Sequence, residues 1–570
     1  MAITANQSRQ QVHFMVLPMM LPGHMIPLID FARMVARCDG VIVTVLTTPV
    51  NAKRFRPALD RERQCGFEIR EHELRFPCAE AGLPEGCENG DLIPKGQNHL
   101  AANFMVAVGM LRPQVEEAVK QSKPPPSCIV SDVCLTWMAD AAAAAAGLNI
   151  PRLMFNASCC FSDVCATRIS ESKIVGKVGS ESEQFTVPEV PHNIQLCKAQ
   201  VKLCTTDPNL LDDDPRKKLG EKLMQGSKSA YGVIVNSFAE MEPDYVKEYR
   251  KMYHGRVWCV GPVSLCNQNY QDRSLRGYNN NYSDQQECLK WLDLQAPGSV
   301  VYVSFGSMAS LSPRQMAELA LGLESNKRPF LWVLGKKGKS FDAFEDWNVS
   351  NGFEQRNTGK GLLVREWAPQ VLILSHSSIG GFLTHCGWNS TLEAISAKVP
   401  MVTWPLIAEQ FLNEKLVVEV LGIGVSLGLK MSVDWDGQDK NDVVIVKNEE
   451  IKEAIDKIMD EGGIDIRTKH GSNTPPSRGH RSPREQRREI EQRREFSTLE
   501  VEEGEIRTSP FRDQSAAEGG AAKKHGSKAR CRLRRPEAGE GRSADCGGGR
   551  CARGEARRLR RNGRVGAKAA

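Results

Sequence analysis

The sequence lacks a hydrophobic run that could cross a membrane without interruption. Its most apolar early segment, HFMVLPMMLPGHMIPLIDFARMV, is broken by Pro18, Pro22, Gly23, His24 and Pro27. Because such residues interrupt a continuous apolar helix, the segment predicts neither a membrane span nor a secretion signal. We therefore expect a cytoplasmic protein without a membrane partner.

A regular cysteine framework is also missing, although the chain contains 18 cysteines. Cys159 and Cys160 are adjacent, and Cys531, Cys546 and Cys551 near the end do not follow the spacing of zinc ligands. In an intracellular chain such cysteines are expected to be reduced thiols. The pattern argues against a disulfide-bonded secreted protein and against a structural zinc site.

Positive charge is concentrated at the end of the chain. The 570 residues carry a net charge of +6, but residues 467–570 hold 27 Lys and Arg against 14 Asp and Glu, while the preceding residues hold 48 against 55. A mildly acidic body thus precedes a basic tail. Because the tail also contains many acids and lacks interleaved aromatic residues, we expect no specific nucleic-acid partner.

Short β-branched segments alternate with amphipathic segments through the body of the chain. This alternation predicts an α/β fold, with helices on both faces of parallel sheets. The first set of predicted strands is Gln11–Leu17, Val41–Thr47, Ser127–Ser131, Pro151–Phe155 and Gly232–Asn236. The second set is Ser299–Phe305, Phe330–Leu334, Leu362–Glu366, Gly380–Thr384 and Pro400–Trp404.

The two sets of strands predict two Rossmann-like domains that face a cleft. We expect an N-terminal domain over residues 1–260 and a C-terminal domain over 285–463, joined by a polar linker over 261–284. Ligands of open parallel sheets bind beyond the carboxyl ends of the strands, so the cleft is the expected site. Residues 464–570 contain few large apolar side chains, which predicts a disordered tail.

The segment Trp367–Gln410, WAPQVLILSHSSIGGFLTHCGWNSTLEAISAKVPMVTWPLIAEQ, is typical of a nucleotide-diphosphate site. A helix that starts near Gly387 would direct its free N–H groups and positive dipole end at an anion. His385, just before that helix, can donate to a phosphate oxygen. Glu393 on the same helix can accept from ribose hydroxyls, and Trp367 offers an aromatic face for a base.

Over its full length this segment resembles the nucleotide-sugar signature of plant family 1 UDP-glycosyltransferases, which act on secondary metabolites. The resemblance implies the GT-B architecture, with the acceptor bound by the N-terminal domain and the UDP-sugar by the C-terminal domain. It implies that the following residues bind the UDP-sugar: Ser307, Trp367, Ala368, Gln370, His385, Trp388, Asn389, Ser390, Glu393, Glu409 and Gln410.

The family also suggests what several of these residues do. Ser307, in the turn SFGSM, is expected to contact phosphate, although a tight turn that needs only small residues is the alternative. Gln370 and the backbone near Ala368 are expected at the nucleotide. Glu409 and Gln410 are expected at the sugar hydroxyls, and Gln at the last position is associated with glucose.

His24 and Asp132 form a second predicted constellation. Each follows a predicted strand, so both should project from strand carboxyl ends toward the cleft. A hydroxyl acceptor has a pKa of about 10 or above, so a base such as His must take its proton, and a carboxylate can orient that base. In relatives a matching His and Asp have these roles, within LPGHMIPLIDFAR and IVSDVCLTWMADAAA. The alternatives are a solvated histidine and a helix-capping aspartate.

The resemblance implies direct displacement at the anomeric carbon, with inversion of an α-linked donor to a β-glycoside. We expect no cofactor beyond the donor UDP-glucose and no metal, since a helix N-terminus and His385 would hold the pyrophosphate. A metal-dependent scheme would use an Asp-x-Asp motif, but we interpret Asp212, Asp213 and Asp214 as a solvated helix start. The expected enzyme is a monomer that acts on a flavonoid, terpenoid or hormone.

Two features depart from the family pattern. Relatives continue after the helix Ile451–Met459 into further helix that packs on the first domain, whereas here the character changes after about Gly463. The alternative function is therefore a catalytically impaired protein that still binds UDP. In addition, Lys398 takes a position usually held by Gly, and a left-handed turn there would cost about 1 kcal/mol.

Overall fold

The β-branched segments form two separate parallel sheets in the computed structural model of the chain. The structure describes residues 11–460 and the six residues 500–502 and 505–507, without 95, 96, 98, 139–149, 203, 206, 277–281, 309, 310, 336–338 and 433–445. All of these residues belong to the first of the two units into which the chain divides, Met1–Ser509.

The first sheet contains seven parallel strands. The strands up to residue 259 are β1 Val12–Leu17, β2 Val41–Thr47, β3 Glu68–Glu73, β4 Cys128–Asp132, β5 Arg152–Asn156, β6 Gln184–Thr186, β7 Gln195–Cys197, β8 Gly232–Val235 and β9 Val257–Cys259. The sheet order is β3-β2-β1-β4-β5-β8-β9, while β6 and β7 pair with each other in antiparallel fashion. The chain winds outward from β1 in one direction and from β4 in the other, so the switch point lies between these two strands.

The second sheet repeats this arrangement with six parallel strands. They are β10 Val300–Ser304, β11 Phe330–Val333, β12 Gly361–Val364, β13 Ile379–Thr384, β14 Met401–Thr403 and β15 Gly424–Ser426. The order is β12-β11-β10-β13-β14-β15, which puts the switch point between β10 and β13. The predicted α/β class is confirmed.

Helices connect the strands. The α-helices are Pro22–Ala36, Pro49–Gln64, His99–Gly109, Arg112–Gln121, Cys160–Ser172, Lys198–Val201, Pro215–Lys228, Pro243–Met252, Tyr270–Leu275, Tyr282–Asp293, Pro313–Asn326, Lys339–Asn351, Phe353–Arg356, Gln370–Leu374, Trp388–Ala397, Gln410–Lys415 and Asn448–Met459. Short 3₁₀ segments cover Gly90–Leu92, Ile174–Lys177 and Val263–Cys266, and a π segment covers Leu416–Val420.

Helix starts and ends follow local chemistry. Proline occupies the first turn of the helix Pro22–Ala36, where its missing N–H leaves no intrahelical bond unmade. The exposed residues Asp212 and Asp213 come just before the helix Pro215–Lys228, as predicted for a solvated start. Lys398 ends the helix that precedes it with φ 61° and ψ 35°, so the predicted left-handed turn is confirmed.

The two halves of the fold share an apolar core. Strands β4, β5, β10 and β13 are buried along their whole length, as expected when helices cover both faces of a parallel sheet. One cluster of buried side chains contains Phe161 and Tyr245 from the first half together with Val300 and Phe382 from the second. The sheets are therefore joined by packing as well as by the chain.

The segment predicted as a linker, 261–284, is packed against the first half where the structure describes it. It contains the 3₁₀ segment Val263–Cys266 and the helix Tyr270–Leu275. The buried Arg33 pairs with Asp272 at 2.9 Å and donates to Asn267 at 2.6 Å. The domain limits 1–260 and 285–463 stay predictions, with one parallel sheet inside each.

Little of the basic tail belongs to the described residues. Within 464–570 the structure describes β16 Glu500–Glu502 and β17 Glu505–Arg507, which pair in antiparallel fashion, and the rest of this predicted segment lies outside the described residues. None of the described helices is long and apolar enough to cross a membrane. The cysteines that the structure describes are free thiols.

Replacing Lys398 with glycine should stabilise the fold. The left-handed backbone costs a residue with a side chain about 1 kcal/mol or more, and glycine removes this strain. Glycine also gives the unfolded chain more conformational freedom, which offsets part of the gain in stability. We expect a net gain of about 0.5 to 1 kcal/mol, measured as an upward shift of the urea midpoint. Lys415→Gly is the control, because φ is −59° there and glycine should lower the midpoint. A lower urea midpoint for Lys398→Gly would contradict the proposal that the left-handed backbone at Lys398 is strained.

Candidate active site

The candidate site lies at the carboxyl ends of the strands beside the two switch points. Gly23 and His24 follow β1, and Asp132 ends β4, in the first sheet. Ser307 follows β10, and His385 follows β13, in the second sheet. Open parallel sheets bind their ligands at such points. Both predicted constellations therefore occupy the positions that the topology favours for ligands.

His24 and Asp132 form a hydrogen-bonded pair. The Nδ1 atom of His24 lies 2.9 Å from Oδ2 and 3.2 Å from Oδ1 of Asp132, which is fully buried, while 29 % of the His24 side chain is exposed. The contact leaves Nε2 as the ring atom that can take a proton. Burial alone would lower the pKa of His24, but the charge and hydrogen bond of Asp132, with a smaller contribution from Glu409, raise it.

Asp132 also stabilises the turn after β4, because its Oδ1 atom accepts the N–H of Cys134 at 2.9 Å. The capping and orienting roles are thus compatible. Among the residues described, His24, Asp132 and Cys134 are the one group that could hold a metal ion, with ligand atoms within 4.8 Å of one another. Burial raises the pKa of the Cys134 thiol well above its usual range. The 2.9 Å contact between Nδ1 of His24 and Oδ2 of Asp132 is that of a hydrogen-bonded pair.

The helix Trp388–Ala397 meets the first half of the chain at its N-terminus. The Nδ2 atom of Asn389 donates to the carbonyl of Gly23 at 2.6 Å, and its Oδ1 atom accepts from Asn236 at 3.3 Å. The indole N–H of Trp388 donates to the carbonyl of Asn236 at 2.7 Å. Trp388 and Asn389 therefore join the two halves, a role that the sequence did not predict, and Asn236 is a contact that it missed.

His385 lies against two glycines. A Cβ atom at Gly306 would come within 2.6 Å of Nε2 of His385, and a Cβ atom at Gly387 would collide with the same nitrogen. Gly306 also has a φ of 73°, which favours glycine. Burial lowers the pKa of His385 to about 4, so the ring is neutral near pH 7 and one of its nitrogens can donate.

Gln370, Ser390 and Glu393 form one hydrogen-bonded cluster. The amide nitrogen of Gln370 donates to Oγ of Ser390 at 3.0 Å and to Oε2 of Glu393 at 2.8 Å. The other oxygen of Glu393 pairs with Arg276. Only 5 % of Glu393 is exposed, so two protein groups already orient this carboxylate. Arg276 was missed because it lies in the polar segment that resembles a linker.

Trp367, Ala368 and Ser307 lie beyond the carboxyl ends of strands in the second sheet. Trp367 and Ala368 belong to the loop between β12 and the helix Gln370–Leu374, and Ser307 belongs to the turn after β10. Trp367 and Ser307 are partly buried, and Ala368 is buried. The Nε1 atom of Trp367 is buried and has no hydrogen-bond partner in the described part of the chain.

Glu409 and Gln410 lie beyond β14, where the helix Gln410–Lys415 begins. The Oε1 atom of Gln410 accepts the N–H groups of Leu406 at 2.9 Å and Ile407 at 3.0 Å, so its amide nitrogen is the group left to donate to a ligand. Burial raises the pKa of Glu409. Because its charge acts on His24, the residue predicted at the sugar lies near the predicted base.

A further, partly buried carboxyl group near these residues was not predicted. Asp163, on the helix Cys160–Ser172, accepts from Tyr249 at 2.7 Å and from Asn156 at 2.6 Å. Burial raises the pKa of Asp163 to about 7, and the charge of Glu409 adds to the rise. The position of Asn156 at the carboxyl end of β5 was the one sequence signal that could have drawn attention to it.

The chain is similar to known UDP-glycosyltransferases. A family model described as UDP-glucoronosyl and UDP-glucosyl transferase matches residues 272–458. UDP-glycosyltransferase 73C6 of Arabidopsis thaliana is 42 % identical over 462 residues, which cover 81 % of this chain and 90 % of that protein. UDP-glycosyltransferase 73D1 of the same plant is 43 % identical over 454 residues, or 79 % of this chain and 87 % of that protein.

Solved structures show the same fold. Glycyrrhiza uralensis UGT73P12, complexed with glycyrrhetinic acid 3-O-monoglucuronide, matches with a TM-score of 0.72 at 33 % identity, covering 82 % of this chain and 91 % of that one. Phytolacca americana UGT2, complexed with UDP-2fluoro-glucose and pterostilbene, matches with a TM-score of 0.59 at 25 % identity, covering 82 % and 94 %. These matches confirm the GT-B prediction. The chain therefore belongs to the plant UDP-glycosyltransferases, enzymes that transfer a sugar from a UDP-sugar.

Proposed function

We propose that the chain is an inverting glucosyltransferase that moves glucose from UDP-glucose to a hydroxyl group of a small apolar plant metabolite, such as a flavonoid, terpenoid or hormone. The observation that carries this proposal is the bond from Asn389 to Gly23. It holds the N-terminus of the helix Trp388–Ala397 beside the N-terminus of the helix Pro22–Ala36, which contains His24. A base and an anion-binding helix end thus lie next to each other, as displacement at an anomeric carbon requires.

The base in this proposal is His24. Its Nδ1 atom is engaged by Asp132, so Nε2 takes the proton of the acceptor hydroxyl while the hydroxyl oxygen bonds to the anomeric carbon. The bond from that carbon to the β-phosphate oxygen breaks, and UDP leaves with the electron pair. Attack from the face opposite the leaving group turns an α-linked donor into a β-glucoside. Asp132 stabilises the imidazolium that forms.

The donor phosphates are proposed to lie at the N-terminus of the helix Trp388–Ala397. The N–H groups of its first turn lack partners within the helix and carry the positive dipole end. His385, a neutral donor, and Ser307 are close by at the ends of β13 and β10. These groups supply the charge stabilisation that a divalent metal would otherwise give, so we propose a reaction without a metal.

The nucleoside and the sugar are proposed to use the remaining residues. Trp367 would stack on the uracil, with Gln370 and the backbone of Ala368 beside it, and Glu393 would accept from the ribose. Glu409 and Gln410 would bind the sugar hydroxyls, and Gln410 supports glucose as the sugar. The ligand of the Phytolacca americana structure, UDP-2fluoro-glucose, is in line with this choice.

An apolar acceptor is supported by the side chains that precede the base. Met19 and Met20 are buried in the turn that leads to His24, in one cluster with Phe76 and Phe104. The rings of Phe76 and Phe104 lie 5.6 Å apart. We propose that the acceptor binds beside this buried apolar cluster, whose composition would suit an aromatic or alicyclic partner better than a sugar or a peptide.

Glucoside formation tests the proposed reaction. Full-length protein, UDP-glucose and a panel of flavonoids, terpenoids and hormones should give β-glucosides by mass spectrometry and proton NMR. His24→Ala should lower the rate by about 10²- to 10⁴-fold, because the general base is lost. His72→Ala, at an exposed histidine of the same sheet, is the matched control and should retain the wild-type rate.

Three results would contradict parts of this proposal. A wild-type rate in His24→Ala would refute the base, and an α-glucoside would refute inversion. No product from protein that still binds UDP by calorimetry would favour the impaired UDP-binding protein instead.

The rate should depend on pH through His24. Because the raised pKa belongs to a group that must be neutral to act, kcat/KM should fall as the pH drops through a value above 6.5. Asp132→Asn removes the charge that raises this pKa while burial continues to lower it, so the acidic limb should move to lower pH. In Asp132→Asn the kcat/KM value on the plateau above this limb should fall at least about tenfold. Asp346→Asn, at an exposed position, is the control. An unmoved limb in Asp132→Asn would contradict the pairing.

A further inference from the structure

Arg276 connects the two helices that carry the site. Its Nε atom donates to Oδ2 of Asp30 at 2.7 Å, and its Nη1 atom donates to Oε1 of Glu393. Asp30 lies on the helix Pro22–Ala36, whose first turn carries the proposed base. Glu393 lies on the helix Trp388–Ala397, whose N-terminus is the proposed phosphate site. Arg276, which lies in the chain segment between the two sets of strands, thus donates hydrogen bonds to both halves.

The three side chains of this contact are almost completely shielded from solvent. The side chains of Arg276, Asp30 and Glu393 are 9 %, 4 % and 5 % exposed. A buried carboxylate needs a partner, and a guanidinium between two acids can satisfy both, which a single ammonium group does poorly. Loss of this arginine would leave two acids with fewer partners in a place that water hardly reaches.

The pairing also fixes the direction of the Glu393 carboxylate. One oxygen faces Arg276 and the other accepts from Gln370. Each carboxylate oxygen has two lone pairs, so acceptor capacity remains for the hydroxyls of a ribose. The carboxylate is therefore preorganised before a nucleotide arrives, and the binding step does not have to order it.

We propose that Arg276 is a positioning residue of the donor site. It holds the carboxylate of Glu393 in place for the ribose and, through Asp30, sets the spacing between the donor helix and the helix that carries His24. This inference rests on the proposed function, because it takes Glu393 as the ribose acceptor. Arg276 itself contacts no reacting atom.

Titration calorimetry with UDP tests this role in the full chain. Arg276→Met removes the donors at similar length, and the Kd for UDP should rise at least about tenfold, the value of a charge-assisted hydrogen bond. Arg276→Lys keeps the charge but loses the fork, and the Kd should rise about threefold. The matched control is Arg365→Met, because Arg365 also contacts two carboxylates, those of Glu345 and Glu354, and the Kd should not change there.

The same titration separates positioning from general stability. A variant that only folds less well lowers the number of binding sites per chain and leaves the Kd of the folded fraction unchanged. In steady-state assays Arg276→Met should raise the KM for the donor and lower kcat, without raising the KM for the acceptor. Where Arg276→Met yields no folded protein, Arg276→Lys decides, and a wild-type Kd for that variant overturns the proposal.

Glu393→Gln distinguishes failure of this inference from failure of the donor site. If Glu393→Gln binds UDP as the wild type does, then Glu393 is not the ribose acceptor and the proposed donor site is wrong. If Glu393→Gln weakens binding while both Arg276 variants bind as the wild type does, the donor site stands and the positioning role is refuted. Weaker binding in all three variants, with Arg365→Met unchanged, supports the role.

Discussion

The site depends on one contact, the bond from the Asn389 amide to the carbonyl of Gly23. Each partner lies at the N-terminal end of a helix that leaves a switch point, one in each sheet. Both helices follow strands beside a switch point, so their N-termini lie at the crevice where open parallel sheets bind ligands. The apolar cluster shared by the two halves keeps the contact in register.

The central strands could be predicted because they are apolar on both faces, and their bounds agree with the structure to within one or two residues. The edge strand Glu68–Glu73 was missed, since its sequence EIREHE has one buried apolar residue, Ile69. Charged side chains on an edge strand discourage pairing between molecules. Such a strand therefore lacks the apolar pattern from which strands are predicted. The start of the helix Pro22–Ala36 is hard to recognise from sequence, because Pro22 and Gly23 resemble a helix breaker although proline suits a first turn.

The candidate site residues at strand ends could be placed from sequence, because residues that follow neighbouring parallel strands lie at the same edge of the sheet. His24 and Asp132, which are 108 positions apart, meet as that reasoning predicts. The partners of Glu393 could not be found in this way. Arg276 is 117 positions from Glu393 and lies among polar residues without periodicity, so only the packing of the chain reveals the pair. The interface bonds of Trp388 and Asn389 were hidden for the same reason.

The glycines that enclose His385 restrict how this enzyme can change over evolution. Neither Gly306 nor Gly387 has room for a methyl group unless the imidazole moves, so these two positions beside the proposed phosphate site admit little besides glycine. Under the proposed function, differences in sugar and acceptor would arise where the backbone makes no such demand, as around Gln410 or near Met19 and Met20. A lineage of such enzymes can therefore acquire new substrates while the nucleotide diphosphate stays the same.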